Sequence, residues 1–233
     1  MTEIWQPKRI VIIGASGGIG GAALKACEDR FPGSDIIGLS RKSSPKLDYV
    51  DENTIRDAAR HVGDLIDLVF VATGFLHSVD QKPEKSLRDL ETDQLANAFL
   101  QNTIGPALVM KHFLPLMRRD KKSVLAVLSA RVGSISDNRL GGWYGYRSAK
   151  AGLNQMIKTA SIEHGRRWKH GCVVGLHPGT VDTGLSKPFQ GNVADGKLFT
   201  PDQSANYLLD VLEQIQATDS GKCFDWAGNE IPS

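Results

Sequence analysis

Short runs of β-branched and other apolar residues alternate along this chain with longer stretches whose apolar positions recur every three or four residues. The unbroken apolar runs have the composition of strands buried in a parallel sheet. They predict strands near Arg9–Ile13, Ile36–Leu39, Lys46–Val50, Ile66–Ala72, Val124–Ser129, Cys172–His177 and Lys222–Asp225. Between them, helices are predicted near Gly18–Arg30, Asn53–His61, Thr92–Met117, Tyr144–His164 and Pro201–Ala217. Thr92 and Pro201 read as helix starts, the proline because the first helical position does not need its missing N–H. Alternation of this kind implies a parallel sheet covered by helices on both faces. The expected fold is α/β, one doubly wound domain over residues 1–233 with a sheet of about seven strands. Two stretches, Gly74–Arg88 and Gly184–Thr200, lack a strong pattern. Both leave the carboxyl ends of strands, where open α/β sheets bind their ligands.

Composition narrows the class. The 233 residues are 41% hydrophobic and 23% charged, enough for one large core, and the formal net charge is only +2. That balance makes no electrostatic case for nucleic acid or an anionic membrane. The basic clusters Arg118-Arg119-Asp120-Lys121-Lys122 and Arg166-Arg167-Trp168-Lys169 follow predicted helices, where cations complement the C-terminal dipole. Cys27, Cys172 and Cys223 are scattered and lack Cys-x-x-Cys spacing, which suggests a reducing compartment rather than a disulfide framework. The opening Met1-Thr2-Glu3-Ile4-Trp5-Gln6-Pro7 has neither the basic nor the apolar part of a signal peptide, and no apolar run is long enough to span a bilayer. A cytoplasmic protein is expected. The histidines show no metal-ligand spacing, so no metal is expected, and a packing role is the default for His177.

Chemistry enters at two places. Ile10-Val11-Ile12-Ile13 runs straight into Gly14-Ala15-Ser16-Gly17-Gly18-Ile19-Gly20-Gly21 and then into a helical stretch. Strand, glycine turn and helix are the setting of a dinucleotide loop: Gly14 for the tight turn, Gly18 for close approach to the pyrophosphate, Gly20 for helix–strand packing. The helix N-terminus then offers unpaired N–H groups to phosphate. Further on, Tyr146-Arg147-Ser148-Ala149-Lys150 places a phenol and an ammonium one helical turn apart on one face. A free phenol titrates near pH 10, and a neighbouring cation lowers that value toward the range where acid–base catalysis is efficient. About twenty residues beyond the glycines, where the ribose is read, the chain has Leu39-Ser40-Arg41-Lys42-Ser43-Ser44 in place of a carboxylate. Two cations and several hydroxyls suit a 2′-phosphate, so NADP(H) is expected in preference to NAD(H), which stays possible.

The spacing Gly14, Gly18, Gly20 followed by Tyr146 and Lys150 resembles the short-chain dehydrogenase/reductase family, and further matches extend over essentially the whole chain. Leu47-Asp48-Tyr49-Val50-Asp51 resembles the segment whose aspartate contacts adenine, and Ala72-Thr73-Gly74 stands where the family has Asn-Ala-Gly. Asn102 matches the family's helix asparagine, and His177-Pro178-Gly179-Thr180-Val181-Asp182-Thr183 resembles the segment at the nicotinamide end. Val132–Lys150 looks most like the C-factor and sniffer-type carbonyl reductase branch. The resemblance implies a Rossmann-like fold and hydride transfer between nicotinamide and a small carbonyl or alcohol. In it Tyr146 moves the proton, Lys150 tunes the tyrosine and holds the nicotinamide ribose, and Asn102 holds a water in a relay to Lys150. It also implies a homodimer or homotetramer and a substrate lid over Gly184–Thr200. The chain departs from the family at Ser129-Ala130-Arg131-Val132-Gly133, where Ala130 replaces the substrate-orienting serine and the gap to Tyr146 is longer. Ser134 is the favoured substitute, with Ser129 or no serine as alternatives. A cofactor-binding signalling protein with little catalysis and a pterin reductase are the competing functions.

Overall fold

The computed structural model describes residues 5–232. The first four residues of the opening stretch read for a leader, and Ser233, lie outside the described residues. Strands β1 (Arg9–Ile13), β2 (Asp35–Leu39), β3 (Leu68–Val71), β4 (Ser123–Leu128), β5 (Gly171–His177) and β8 (Cys223–Asp225) form one parallel sheet in the order β2-β1-β3-β4-β5-β8. A separate parallel pair joins β6 (Thr180–Val181) to β7 (Leu198–Phe199). The helices are α1 (Gly18–Arg30), α2 (Glu52–Val62), α3 (Thr92–Phe99), α4 (Gly105–Phe113), α5 (Tyr144–Gly165) and α6 (Pro201–Gln214).

Side chains of a strand alternate between faces, and that alternation divides the core in two. Ile10, Ile12, Leu68, Phe70, Val124, Ala126 and Val174 pack with Ala23 and Cys27 of α1 and Leu208 and Leu212 of α6. Val11, Val69, Leu125, Val127 and Val173 pack with Ile55 of α2, Val109 and Phe113 of α4, and Leu153 and Ile157 of α5. Both faces are apolar because both are covered, which is why these strands read as unbroken hydrophobic runs. The chain leaves β1 to one side for β2 and returns to its other side as β3. Loops after β1 and β3 therefore diverge and open a crevice at their carboxyl ends.

Two expected elements differ. Lys46–Val50 is not a strand: the Leu47 N–H donates to the Ser40 carbonyl (2.8 Å) and the Asp48 N–H to Thr54 Oγ1 (2.9 Å). Leu47 and Tyr49 are buried while Val50 is exposed, so the alternation reflects a loop folding onto the core, not a ladder. The helix expected over Thr92–Met117 is interrupted by a π-turn at Leu100–Ile104, between α3 and α4. Pro106 has no N–H for the Asn102 carbonyl four residues back, so the regular bonding register breaks there. Instead the Gly105 N–H reaches the Leu100 carbonyl, five residues back. Gly105 also lies against the Tyr49 ring, with no room for a Cβ.

Candidate active site

The glycine turn folds as its sequence requires. Gly14 has φ of +88°, and a Cβ there would lie 2.9 Å from the Ala72 carbonyl oxygen. A Cβ on Gly20 would overlap the Gly14 carbonyl, and one on Gly18 would lie 2.7 Å from Thr183 Cγ2. Helix α1 starts at Gly18, preceded by Gly17 at the cap position, with no side-chain cap and no acidic residue in its first turn. The N–H groups of Gly18, Ile19 and Gly20 find no acceptor among the described residues. Uncapped donors at a helix N-terminus suit an anion, and the phosphates of a dinucleotide fit them.

Two adjoining cavities run along the carboxyl edge of the sheet and share Gly17, Ala72, Thr73 and Gly74. The smaller, about 200 Å³, is walled by Gly14, Ser16, Ser40, Arg41, Asp48 and Tyr49. The Tyr49 hydroxyl is hydrogen-bonded to Thr73 Oγ1 at 2.7 Å, and burial pushes that phenol well above its usual range. Lys42 is on neither wall; its backbone N–H donates to Ser40 Oγ (3.1 Å), tightening the turn that presents Arg41. The larger cavity, about 780 Å³, brings together Gly18, Ile19, Tyr146, Lys150, Pro178, Gly179, Val181 and Thr183. Its mouth is bridged by the two unpatterned loops. Phe189 packs edge-on against Trp143 at 5.0 Å and His77 at 5.6 Å, and His77 Nε2 lies 3.1 Å from the Gly184 and Leu185 carbonyls.

Tyr146 and Lys150 stand on the same face of α5. The tyrosine is half-buried on the cavity wall, and its hydroxyl makes no hydrogen bond within the described residues. Lys150 is 2% exposed, with Nζ 5.8 Å from the Tyr146 ring centre and donating to the Leu128 carbonyl at 2.7 Å. Desolvation brings the ammonium down to about 7 and pushes the phenol well above its ordinary value. The lysine-lowered phenol expected from spacing is thus not what this structure shows: at this separation burial of both groups outweighs their attraction. Asn102 is fully buried. Its Nδ2 donates to the Phe75 carbonyl (2.8 Å) and the Ala98 carbonyl (3.0 Å), and its Oδ1 accepts the Phe75 N–H at 3.0 Å. That side chain ties the loop after β3 to the π-turn and does not itself line the cavity.

Residues 45–208 match a family model described as enoyl-(acyl carrier protein) reductase. The chain belongs to the short-chain dehydrogenase/reductase family. It is 33% identical over 147 residues to the C-signal of Myxococcus xanthus, covering 63% of this chain and 83% of that one. Its fold is similar to that of the NADPH-bound carbonyl reductase from chicken fatty liver, with a TM-score of 0.83, 22% identity, and 98% and 100% of the two chains covered. The carbonyl reductase Sniffer of Drosophila melanogaster aligns with a TM-score of 0.81 at 17% identity over 97% and 99%.

As a short-chain dehydrogenase/reductase the chain is unusual at its serine. Ala130 lines the cavity, so that wall presents a methyl group. Ser129 also lines the cavity, but its hydroxyl proton is committed to Asn154 Oδ1 on α5, at 2.6 Å. Ser134, the favoured substitute, is not on the cavity wall: it is buried, and its Oγ accepts the Asp137 N–H at 3.2 Å. The longer connection after β4 begins with a 3₁₀ turn over Arg131–Gly133, which carries Ser134 past the wall and turns its hydroxyl into the loop.

One residue at the site, Glu84, escapes sequence reasoning, and another, His177, is expected from sequence only to pack. His177 lines the cavity. Glu84, 5% exposed, accepts the Gly145 N–H on Oε2 at 3.1 Å, while its carbonyl accepts the Trp143 N–H at 2.5 Å. Gly141, Gly142 and Trp143 all have positive φ, so α5 starts from a sharp left-handed turn with no side-chain cap of its own. Glu84 supplies that cap from a distant loop, with its carboxyl oxygen at the positive end of the helix that carries Tyr146. Nothing in the local sequence marks it. Glu84→Ala is expected to lower stability by about 1–2 kcal/mol in denaturant unfolding, and Glu84→Gln by less, because the amide oxygen still accepts.

Proposed function

We propose that this protein is an NADP(H)-dependent reductase of small carbonyl compounds, with Tyr146 as the proton donor. The observation that carries the reading is the Tyr146 hydroxyl, without a hydrogen-bond partner among the described residues, one turn from buried Lys150 on the wall of a cavity that Pro178, Gly179 and Gly18 of the α1 N-terminus also line. The NADPH of the chicken carbonyl reductase and the activity in its name and in that of Sniffer support the same assignment. The cofactor, when bound, supplies the hydride that reduces the carbonyl carbon. Tyr146 gives its proton to the carbonyl oxygen, completing the alcohol. A phenol whose proton is held tightly by burial stays loaded as a donor through neutral pH. Lys150, drawn toward neutrality and anchored on the Leu128 carbonyl, is placed to hold the nicotinamide ribose and to resupply the proton. Asn102 fixes the backbone of Phe75 at the cavity edge. Phe189, packed against Trp143 on the wall of the larger cavity, would limit the access of water to the site.

Arg41 on the wall of the smaller cavity is assigned to the ribose 2′-phosphate, with the buried Ser40 beside it. Arg41→Ala is expected to weaken NADPH binding by roughly tenfold to a hundredfold and leave NADH binding nearly unchanged, since a charge-assisted phosphate contact is worth about 1.5–3 kcal/mol. Fluorescence titration of both cofactors reads this directly, and equal affinity of the wild type for NADH and NADPH would reject the preference. The activity itself is tested by NADPH oxidation with a panel of aldehydes, ketones and diketones. Tight NADPH binding without turnover on any of them would favour a cofactor-sensing protein instead.

A further inference from the structure

His177 closes β5 immediately before Pro178-Gly179 and lines the larger cavity. Its strand is in register with β4 as Leu128 with Leu176, and the Ser129 N–H donates to the Leu176 carbonyl at 2.8 Å. His177 therefore follows directly on the residue paired with Leu128, whose carbonyl anchors Lys150. Strand alternation puts it on the sheet face covered by α5, the helix of Tyr146. Ser129 shares that face, but its hydroxyl is engaged by Asn154. The Ala130 side chain offers no hydrogen bond, and Ser134 is turned away.

The imidazole has an asymmetry that calls for a ligand. Nδ1 is sealed from solvent with no hydrogen-bond partner, alone among the buried side-chain nitrogens and oxygens of the described residues. Nε2 is not sealed, and it too has no hydrogen-bond partner among the described residues. An orphaned buried N–H is costlier than an orphaned lone pair, so the ring proton belongs on Nε2 and the bare lone pair on Nδ1. We propose that His177 is a substrate-orienting residue, whose Nε2–H donates a hydrogen bond to an acceptor oxygen of the carbonyl substrate in place of the serine hydroxyl missing at Ala130. This rests on the carbonyl reductase reading. Burial, with the Arg131 guanidinium against it and the Asp225 carboxylate partly offsetting, brings the ring down to about 4, so it works as a neutral donor at neutral pH.

The test compares wild type, His177→Phe and His177→Gln. Phenylalanine keeps the ring and removes the donor, whereas the glutamine amide N–H reaches the position of Nε2. The Phe variant is expected to lose on the order of 100-fold in kcat/KM, mostly in kcat, with NADPH Kd unchanged. The Gln variant should recover to within about tenfold of wild type. Long-range ¹H–¹⁵N correlation of the imidazoles, with the His177 signals assigned by their loss in the Gln variant, should show Nε2 protonated and Nδ1 bare. A Phe variant within about threefold of wild type, a Gln variant no better than Phe, or a ring proton on Nδ1 would each overturn the proposal. Wild type that binds NADPH yet reduces no carbonyl would overturn the reductase reading and this role with it, whatever the ring spectrum shows.

Discussion

Tyr146→Phe is expected to cut kcat for carbonyl reduction by about a thousandfold while NADPH binds as before. The change deletes one hydroxyl and keeps the ring, which sits edge-on to Trp143 at 6.3 Å. No group within the described residues loses a partner, because that hydroxyl is hydrogen-bonded to none. Stability should therefore stay within about 0.5 kcal/mol of wild type, and a loss of turnover cannot be blamed on the fold. The upward-shifted phenol adds a pH signature. Reduction needs the protonated form and should be flat through neutral pH, while alcohol oxidation needs the phenolate and should rise with pH. Stopped-flow NADPH oxidation and equilibrium titration of the cofactor measure both. Turnover retained within about tenfold would mean that the proton comes from elsewhere in the cavity.

Much of the frame was legible because it is local. Ile10–Ile13 and Cys172–His177 are apolar on both faces, and the glycine turn is forced by close contacts of Gly14 and Gly20 that only glycine satisfies. Tyr146 and Lys150 were legible because helical geometry alone brings residues four apart together. What failed depends on partners far along the chain. Leu47 and Tyr49 alternate like a strand, yet their segment is bonded to Ser40 and Thr54. Thr92–Met117 has helical periodicity throughout, yet Pro106 shifts its register at Asn102. Ser134 has suitable spacing from Tyr146, but the 3₁₀ turn at Arg131–Gly133 decides where its hydroxyl points. Glu84 acts on Gly145 across 61 positions of sequence, and no local signal could announce that. The ionisation of Tyr146 and Lys150 failed for a related reason: spacing shows their attraction but not the desolvation that exceeds it.

Lys150→Met should produce opposite effects on stability and activity. The lysine is 2% exposed and faces no carboxylate among the described residues; its ammonium donates to the Leu128 carbonyl and lies over the Tyr146 ring, 5.8 Å from its centre. Burial lowers its pKa from 10.5 to about 7. Between those values the unfolded chain holds the proton and the folded protein releases it, so stability rises with pH from about 7 and is least below it. From pH 7 to 9 the wild type should gain on the order of 2 kcal/mol from this group. Lys122, lowered to about 8 by burial, contributes in the same direction and would leave a residual slope in the variant. Methionine has nearly the same length and no charge to desolvate, so at pH 7 the variant sheds a penalty of several kcal/mol. It gives up a hydrogen bond whose loss costs about 1–3 kcal/mol at the abandoned carbonyl. The net expectation is a protein more stable by about 1–2 kcal/mol at pH 7, with a flatter stability–pH curve and turnover reduced by a hundredfold or more, roughly. A buried, unpaired cation retained against stability is the mark of a group kept for chemistry. Denaturant unfolding at pH 7 and 9, beside NADPH turnover, separates the outcomes. A variant less stable than wild type at both pH values, with wild-type stability unchanged between them, would show that Lys150 keeps its full charge inside the fold and that burial has not drawn it toward neutrality.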